Sequence, residues 1–279
     1  MDLKSYFYLT FMLALRFLLK SVRCEPLFGD EVSLVKSNQF SSVVLLRLKL
    51  KRYPEKDQEA FCTGTLISRK RILTASSCLK DGEYIKKIEV FLSHPEQCID
   101  CKHYEVSLPW KTYEDWAHEL QLILRYPKND IIILELTEEV IEESVKPARL
   151  ASEKEMRKLE GSKARMVGWV IVASEFPYSK IYQYFGKVKI NSKTECKLAS
   201  ENLPGPSTGY LDTYLCTERD RHVFSTELDV GGPLFNKDGK IVGVFKETRS
   251  SKSDKIFDSK SLNGIHVFTS IDFYRYYIE

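Results

Sequence analysis

Phe61-Cys62-Thr63-Gly64-Thr65-Leu66-Ile67-Ser68, followed closely by Ile72-Leu73-Thr74-Ala75-Ser76-Ser77-Cys78, decides the fold. Ile72–Ala75 is a short run of β-forming residues, and it is one of a series. Ser42–Leu50, Ile85–Leu92, Asp130–Leu136, Ala164–Val172, Gly186–Ile190 and Lys240–Lys246 are likewise rich in Val, Ile, Leu and Phe. Gly, Pro, Asn or Asp punctuates most of them. Short apolar runs parted by turn residues predict an all-β sandwich or barrel. Helices are expected only around Tyr113–Leu124 and from about Ser270 to Glu279. Ser270 is the expected cap of the second, and Ile271, Tyr274, Tyr277 and Ile278 fall on one of its faces. Glu247–Ser261, rich in Ser, Lys and Asp, reads as a solvated loop.

Composition agrees with a globular chain: 279 residues, 43% hydrophobic and 29% charged. The first 24 residues differ from the rest. Lys4 precedes an apolar stretch, Tyr6–Leu15 and Phe17–Leu19, that Arg16 interrupts, and Val22-Arg23-Cys24 suits a cleavage site. The stretch is short for a bilayer span, so residues 1–24 are read as a cleaved signal peptide and residues 25–279 as a secreted, extracellular domain. Cleavage removes Lys4, Arg16, Lys20 and Arg23 together with Asp2, a net loss of three positive charges from a formal +3. The balance then offers no electrostatic case for nucleic acid, and no later run is long enough to span a membrane. Cys24 leaves too, so seven cysteines become six, an even number that suggests three disulfides in an oxidising compartment.

Three separated segments resemble the trypsin-like (chymotrypsin-fold) serine proteases. The opening stretch is similar to that family's Cys-Gly-Gly-Thr-Leu-Ile and Leu-Thr-Ala-Ala-His-Cys blocks. Asn129-Asp130-Ile131-Ile132-Ile133-Leu134-Glu135-Leu136 is similar to Asn-Asp-Ile-Ala-Leu-Leu-x-Leu. Glu227-Leu228-Asp229-Val230-Gly231-Gly232-Pro233-Leu234 is similar to Gly-Asp-Ser-Gly-Gly-Pro-Leu. Gly168-Trp169 and Gly264-Ile265 add support. The resemblance implies two six-stranded antiparallel β-barrels, about 27–140 and 160–265, a closing helix about 270–279, and a cleft between the barrels.

The resemblance also implies that the chemistry has gone. The family needs a serine nucleophile, a histidine base and an aspartate to orient it. Ser77 stands in the histidine position and Val230 in the serine position; only Asp130 keeps its type. A hydroxyl is no base near neutral pH and an isopropyl group forms no acyl-enzyme. Asp130 is then expected to be a structural carboxylate. Leu228 replaces the oxyanion-hole glycine, Phe224 falls near the base of the specificity pocket, Thr226 occupies a cysteine position, and Lys246-Glu247-Thr248 replaces the substrate-pairing Ser-Trp-Gly strand. Asp229 matches the aspartate that pairs with the neo-terminal amine, but Pro26 stands before Leu27-Phe28-Gly29-Asp30, where a basic residue would direct cleavage.

By resemblance Cys62 pairs with Cys78 and Cys196 with Cys216. Cys98 and Cys101, within His94-x3-Cys98-x2-Cys101-x-His103, are expected to close a small disulfide loop; a zinc site and a redox motif are the alternatives. His118, His222 and His266 sit in no base–nucleophile constellation. Trp110 and Trp116 read as packing or as an exposed binding patch, and the basic run Arg47–Arg52 as a solvated face or an anion-binding patch. No metal or cofactor is implied. The resulting expectation is a non-catalytic serine protease homologue of the arthropod type, binding extracellular protein partners, other proteases or homologues among them, in a protease cascade, seminal fluid or another secretion. An enzyme with altered metal- or thiol-dependent chemistry and a structural secreted protein are the alternatives. The partner surface is expected at Phe224, Lys246, Arg249, Lys252 and Lys255.

Overall fold

The computed structural model describes residues 32–36, 39–51, 58–80, 82–92, 103–124, 129–173, 179–201, 203, 213–218, 223, 225, 227–250 and 264–279. The expected signal peptide, Pro26–Asp30, His94, Cys98, Cys101, His222, Phe224, Thr226, Lys252 and Lys255 lie outside them.

Among the described residues there are fourteen strands: β1 Val32–Leu34, β2 Val43–Leu50, β3 Gln58–Leu66, β4 Arg71–Thr74, β5 Ile85–Phe91, β6 Tyr104–Glu105, β7 Lys111–Thr112, β8 Ile132–Glu135, β9 Lys163–Ala173, β10 Ser179–Lys189, β11 Tyr214–Glu218, β12 Pro233–Asn236, β13 Ile241–Ser250 and β14 Gly264–Ser270. They form two antiparallel sheets, β6-β5-β2-β3-β4-β8-β7 and β1-β10-β9-β12-β13-β14-β11. Each holds seven strands where six were expected. The second gains β1, a three-residue strand that comes from ahead of the first sheet to pair with β10, and the first includes the two-residue edges β6 and β7. A single bridge curls each sheet towards a barrel, Val106 to Leu136 in the first and Ile190 to Thr217 in the second.

Period-2 alternation explains how β2 serves two cores. Val44, Leu46, Leu48 and Leu50 point into the first barrel with Ile72, Ile88, Val90 and Leu134. Val43 and Leu45 point the other way, into a cluster that joins Leu73, Phe91 and Ile131 of the first half to Val167, Phe235 and Val244 of the second. Ala164, Met166, Leu234, Val242 and Phe268 fill the second barrel. Arg47 belongs to the odd face of β2. It is not solvated, as its run predicted, but buried, with its guanidinium 2.5 Å from Glu89 and 4.9 Å above the Phe91 ring. Burial pushes the Glu89 carboxyl up, yet hydrogen bonds from Arg47 and Lys87 outweigh this and hold it below its ordinary value.

Four short helices decorate the sheets among the described residues: α1 Tyr113–Glu119, α2 Glu153–Met156, α3 Lys193–Glu201 and α4 Arg275–Ile278. Thr112 and Asp115 form a capping box at the start of α1. The helix ends five residues before the predicted Leu124, at a turn where Gln121 takes φ 54°. The predicted closing helix is shorter too. Ser270 is no cap, because it ends β14 opposite Gly243; α4 is a single turn starting after Tyr274. Ile271, Tyr274, Tyr277 and Ile278 are buried together, as their spacing predicts.

Candidate functional site

The wall contributed by the first sheet grows from the end of β4. After Thr74 the chain enters a 3-10 turn, Ser76–Leu79, whose preceding residue Ala75 offers no side chain to cap it. Asp130, just ahead of β8 and buried, receives this turn instead. Its carboxylate accepts the Ser77 amide N–H at 2.7 Å, the Ser77 hydroxyl at 3.0 Å and the Ser76 hydroxyl at 3.1 Å. Ser77 itself is exposed. Its hydroxyl donates to the carboxylate, so the pair holds a carboxylate acceptor and a hydroxyl donor, with no imidazole between them. The surroundings are equally well tied. Asn129 accepts from Tyr274 at 3.0 Å and donates to Glu114 at 3.0 Å, and the Asp130 carbonyl accepts the Thr269 hydroxyl of β14 at 3.0 Å.

The opposite wall is the turn Leu228–Gly232. The Leu228 carbonyl accepts the Thr63 hydroxyl and the Val230 carbonyl accepts the Thr63 N–H, both at 2.8 Å. Gly231 donates to Phe245 at 2.8 Å, and Phe245 donates back to Gly232 at 2.7 Å. Gly231 takes φ 84°, and a Cβ there would meet Thr74 Oγ1 at 2.0 Å and the Thr63 carbonyl at 2.2 Å. Only glycine fits this approach. Asp229 is fully buried, its Oδ1 lying 1.7 Å from where a Gly168 side chain would begin. Val230 is half-buried and packs against the first-barrel, inter-barrel and second-barrel clusters alike. The Cys78 sulfur lies 3.4 Å from the Val230 carbonyl oxygen, so Ser77, Asp130 and Val230 are brought to one place. Cys78 is bonded to Cys62, and Cys196 to Cys216, the two pairings implied by resemblance.

The inner wall of the second sheet holds a polar cluster that the sequence did not reveal. His266, fully buried on β14, has Nδ1 at 3.1 Å from the Ser225 hydroxyl and 3.0 Å from the Thr248 hydroxyl, and Nε2 at 3.1 Å from the Val223 carbonyl. Donation from Nε2 to that carbonyl leaves Nδ1 as the acceptor for a hydroxyl. His266 is therefore a buried residue of the second sheet that lies within hydrogen-bond reach of two hydroxyls. Strand spacing along β14 gives no hint of this contact, because both hydroxyls come from other segments.

The proposed partner surface looks different from a free rim. β13 runs on to Ser250, paired with Gly264, so residues 247–250 are strand and not the start of a solvated loop. Arg249 is 8% exposed and bonded to Glu247 at 2.7 Å. Lys246 donates to the Tyr214 hydroxyl at 2.9 Å and lies 4.6 Å above that ring. Of the His94–His103 segment only His103 is described, 3.5 Å from Glu89 and tilted against the Phe91 ring; among the described residues no group of His, Cys, Asp and Glu is arranged to hold a metal ion.

Comparisons with known proteins agree with this architecture. The family model described as Trypsin matches residues 36–261. A snake venom serine protease homolog from Bothrops jararacussu is 26% identical over 224 residues, covering 77% of this chain and 74% of that protein. A solved collagenase, HL collagenase, superposes with a TM-score of 0.65 at 19% identity, covering 90% of this chain and 96% of that one. The family model spans well over half of the sequence: the chain belongs to the trypsin family of serine proteases and their homologues.

Proposed function

We propose that this protein is a secreted, catalytically inactive serine protease homologue that works by binding other proteins. The observation that carries the reading is the Ser77 hydroxyl hydrogen-bonded to Asp130 beside Val230, a site that lacks both the histidine base and the serine nucleophile the family's chemistry uses. The relative in snake venom, itself called a homolog of serine proteases, supports it, as do two disulfides suited to an oxidising compartment. An extracellular protease network or a secretion such as seminal fluid, of the arthropod kind, is the setting this reading favours. Lys246, Arg249, Phe224, Lys252 and Lys255 remain proposed partner contacts, with Lys246 and Arg249 acting in place as ordered groups.

A second reading, altered chemistry, draws on the Ser225–His266 contact. The imidazole is wholly buried, and its second nitrogen lies 3.1 Å from the Val223 carbonyl. A fluorophosphonate probe separates the two. The purified protein is expected to remain unlabelled; covalent label that survives denaturation and maps to Ser225 or any other serine would refute the inactive reading.

A further inference from the structure

A cavity of about 580 Å³ opens in the second half of the molecule and shares no lining residue with the Ser77–Val230 site. It lies between the turn after α2, the link from β10 to α3, the start of β11 and the link from β14 to α4. Its wall is largely aliphatic, with Leu159, Ile190 and Leu215 among its members. Two buried polar residues interrupt that wall: Asn191, 7% exposed, and Ser270, 5% exposed. Their backbones are fixed. The Asn191 N–H donates to the Cys216 carbonyl at 2.9 Å, and Ser270 pairs with Gly243 at the end of β14. Their side chains are not. Among the described residues neither the Asn191 amide nor the Ser270 hydroxyl makes a hydrogen bond, and both stay accessible from the cavity.

The remaining polar groups of the lining are balanced and engaged. Its four charged residues are exposed at the rim, two of each sign. Arg157 pairs with Glu153 at 3.3 Å, Asp272 pairs with Arg275 at 3.5 Å, and Glu160 accepts the Lys193 amide N–H at 3.3 Å. The Tyr214 hydroxyl accepts from Lys246 at 2.9 Å, and the same ammonium lies 4.6 Å above the Tyr214 ring. The Phe273 ring meets Tyr274 at 4.9 Å. What is left to receive a ligand is one carboxamide and one hydroxyl, each both donor and acceptor, beside an aliphatic wall.

We infer that this cavity binds a peptide segment of a partner protein, one that presents an uncharged backbone amide next to an aliphatic side chain. A buried polar group without a partner is destabilising, so two of them facing one cavity call for something that completes both. A carboxamide pairs with a peptide bond at two points: its oxygen accepts the peptide N–H and its NH2 donates to the peptide carbonyl. The balanced rim selects against a net charge, and the aliphatic wall takes the neighbouring side chain. A bound water would satisfy either group but fills only about 30 Å³ and leaves that wall wet. A sugar would ask for an aromatic face, and both rings at the cavity already have neighbours on them.

The inference goes beyond the binding-protein reading, and the two fail separately, since fluorophosphonate labelling tests the Ser77–Val230 site and leaves this cavity untouched. The test titrates the full secreted protein with N-acetyl-leucinamide, followed by saturation-transfer NMR. Saturable binding with a Kd on the order of 1 mM is expected for so small a ligand. N-acetylglycinamide, which lacks the aliphatic group, should bind about tenfold more weakly. Asn191→Leu is expected to weaken binding of the leucine probe about tenfold, and Ser270→Ala about threefold. Both variants should keep or raise the urea midpoint, because each removes a buried group that the free protein leaves unpaired. A purely structural pair would do the opposite. No saturable binding, an unchanged affinity in both variants, a lowered midpoint in both, or tighter binding of methyl N-acetylglucosaminide than of the leucine probe would each overturn the inference.

Discussion

The two walls of the Ser77–Val230 site differ in what they have kept. The first-sheet wall retains a polar circuit: Asp130 still gathers an amide and two hydroxyls, with a serine at the end of the line. The second-sheet wall retains a backbone circuit, Thr63 to Leu228 and Val230 and Gly231 to Phe245, but presents a hydrocarbon to the cleft. One wall is thus shaped by bonds to a side-chain carboxylate and the other by bonds along the main chain, so the two should answer differently to substitution.

The contrast can be tested by substitution, and the backbone circuit should be the more brittle. Gly231→Ala forces a Cβ into Thr74 and Thr63 at a positive φ, and a loss of about 3 kcal/mol or more is expected in urea unfolding. A loss under about 1 kcal/mol would mean the turn can relax, and the two walls would then be alike. Asp130→Ala strips three donors of their acceptor, but Ser77 is exposed and can turn to water; about 2 kcal/mol is expected by the same measurement. Val230→Ser exchanges apolar packing for a hydroxyl at a half-buried position, and about 1 kcal/mol is expected.

Acid sharpens the comparison from outside the site. Glu89 is held below its ordinary value of 4.5 in the folded chain. Such a carboxyl contributes stability that is fully present above its unfolded value and is lost as pH falls through the lower folded value. The urea midpoint should therefore be steady from pH 7 to about 5 and fall below about 4.5, with a shallower fall in Glu89→Gln. An equal fall in both proteins would assign the acid sensitivity elsewhere.

Much of this architecture is legible in the chain because burial writes itself as alternation. Ser42–Leu50 reads as a strand, and the structure pairs Val43–Leu50 of it. Ends and neighbours are less legible. Ser270 has the chemistry of a helix cap, but the ladder with β13 claims it first. Arg47 looks solvated in a run of basic residues because its partner Glu89 comes 42 residues later. Ser225, Thr248 and His266 are ordinary polar residues in sequence and meet only when β14 pairs with β13. Lys246 and Arg249 look like free charges until Tyr214 and Glu247 are beside them. In each case a local rule lost to a tertiary contact that the local pattern does not encode.

The bond from Thr269 to the Asp130 carbonyl has a consequence for biogenesis. Its two ends are separated by 139 residues, so during synthesis Asp130 emerges long before the group that completes its surroundings. The first sheet can pair β2 with β3 and close Cys62 to Cys78 while the second is still being translated. The floor of the cleft cannot mature in that interval. It is finished only when β14 arrives, so the cleft is completed late in synthesis.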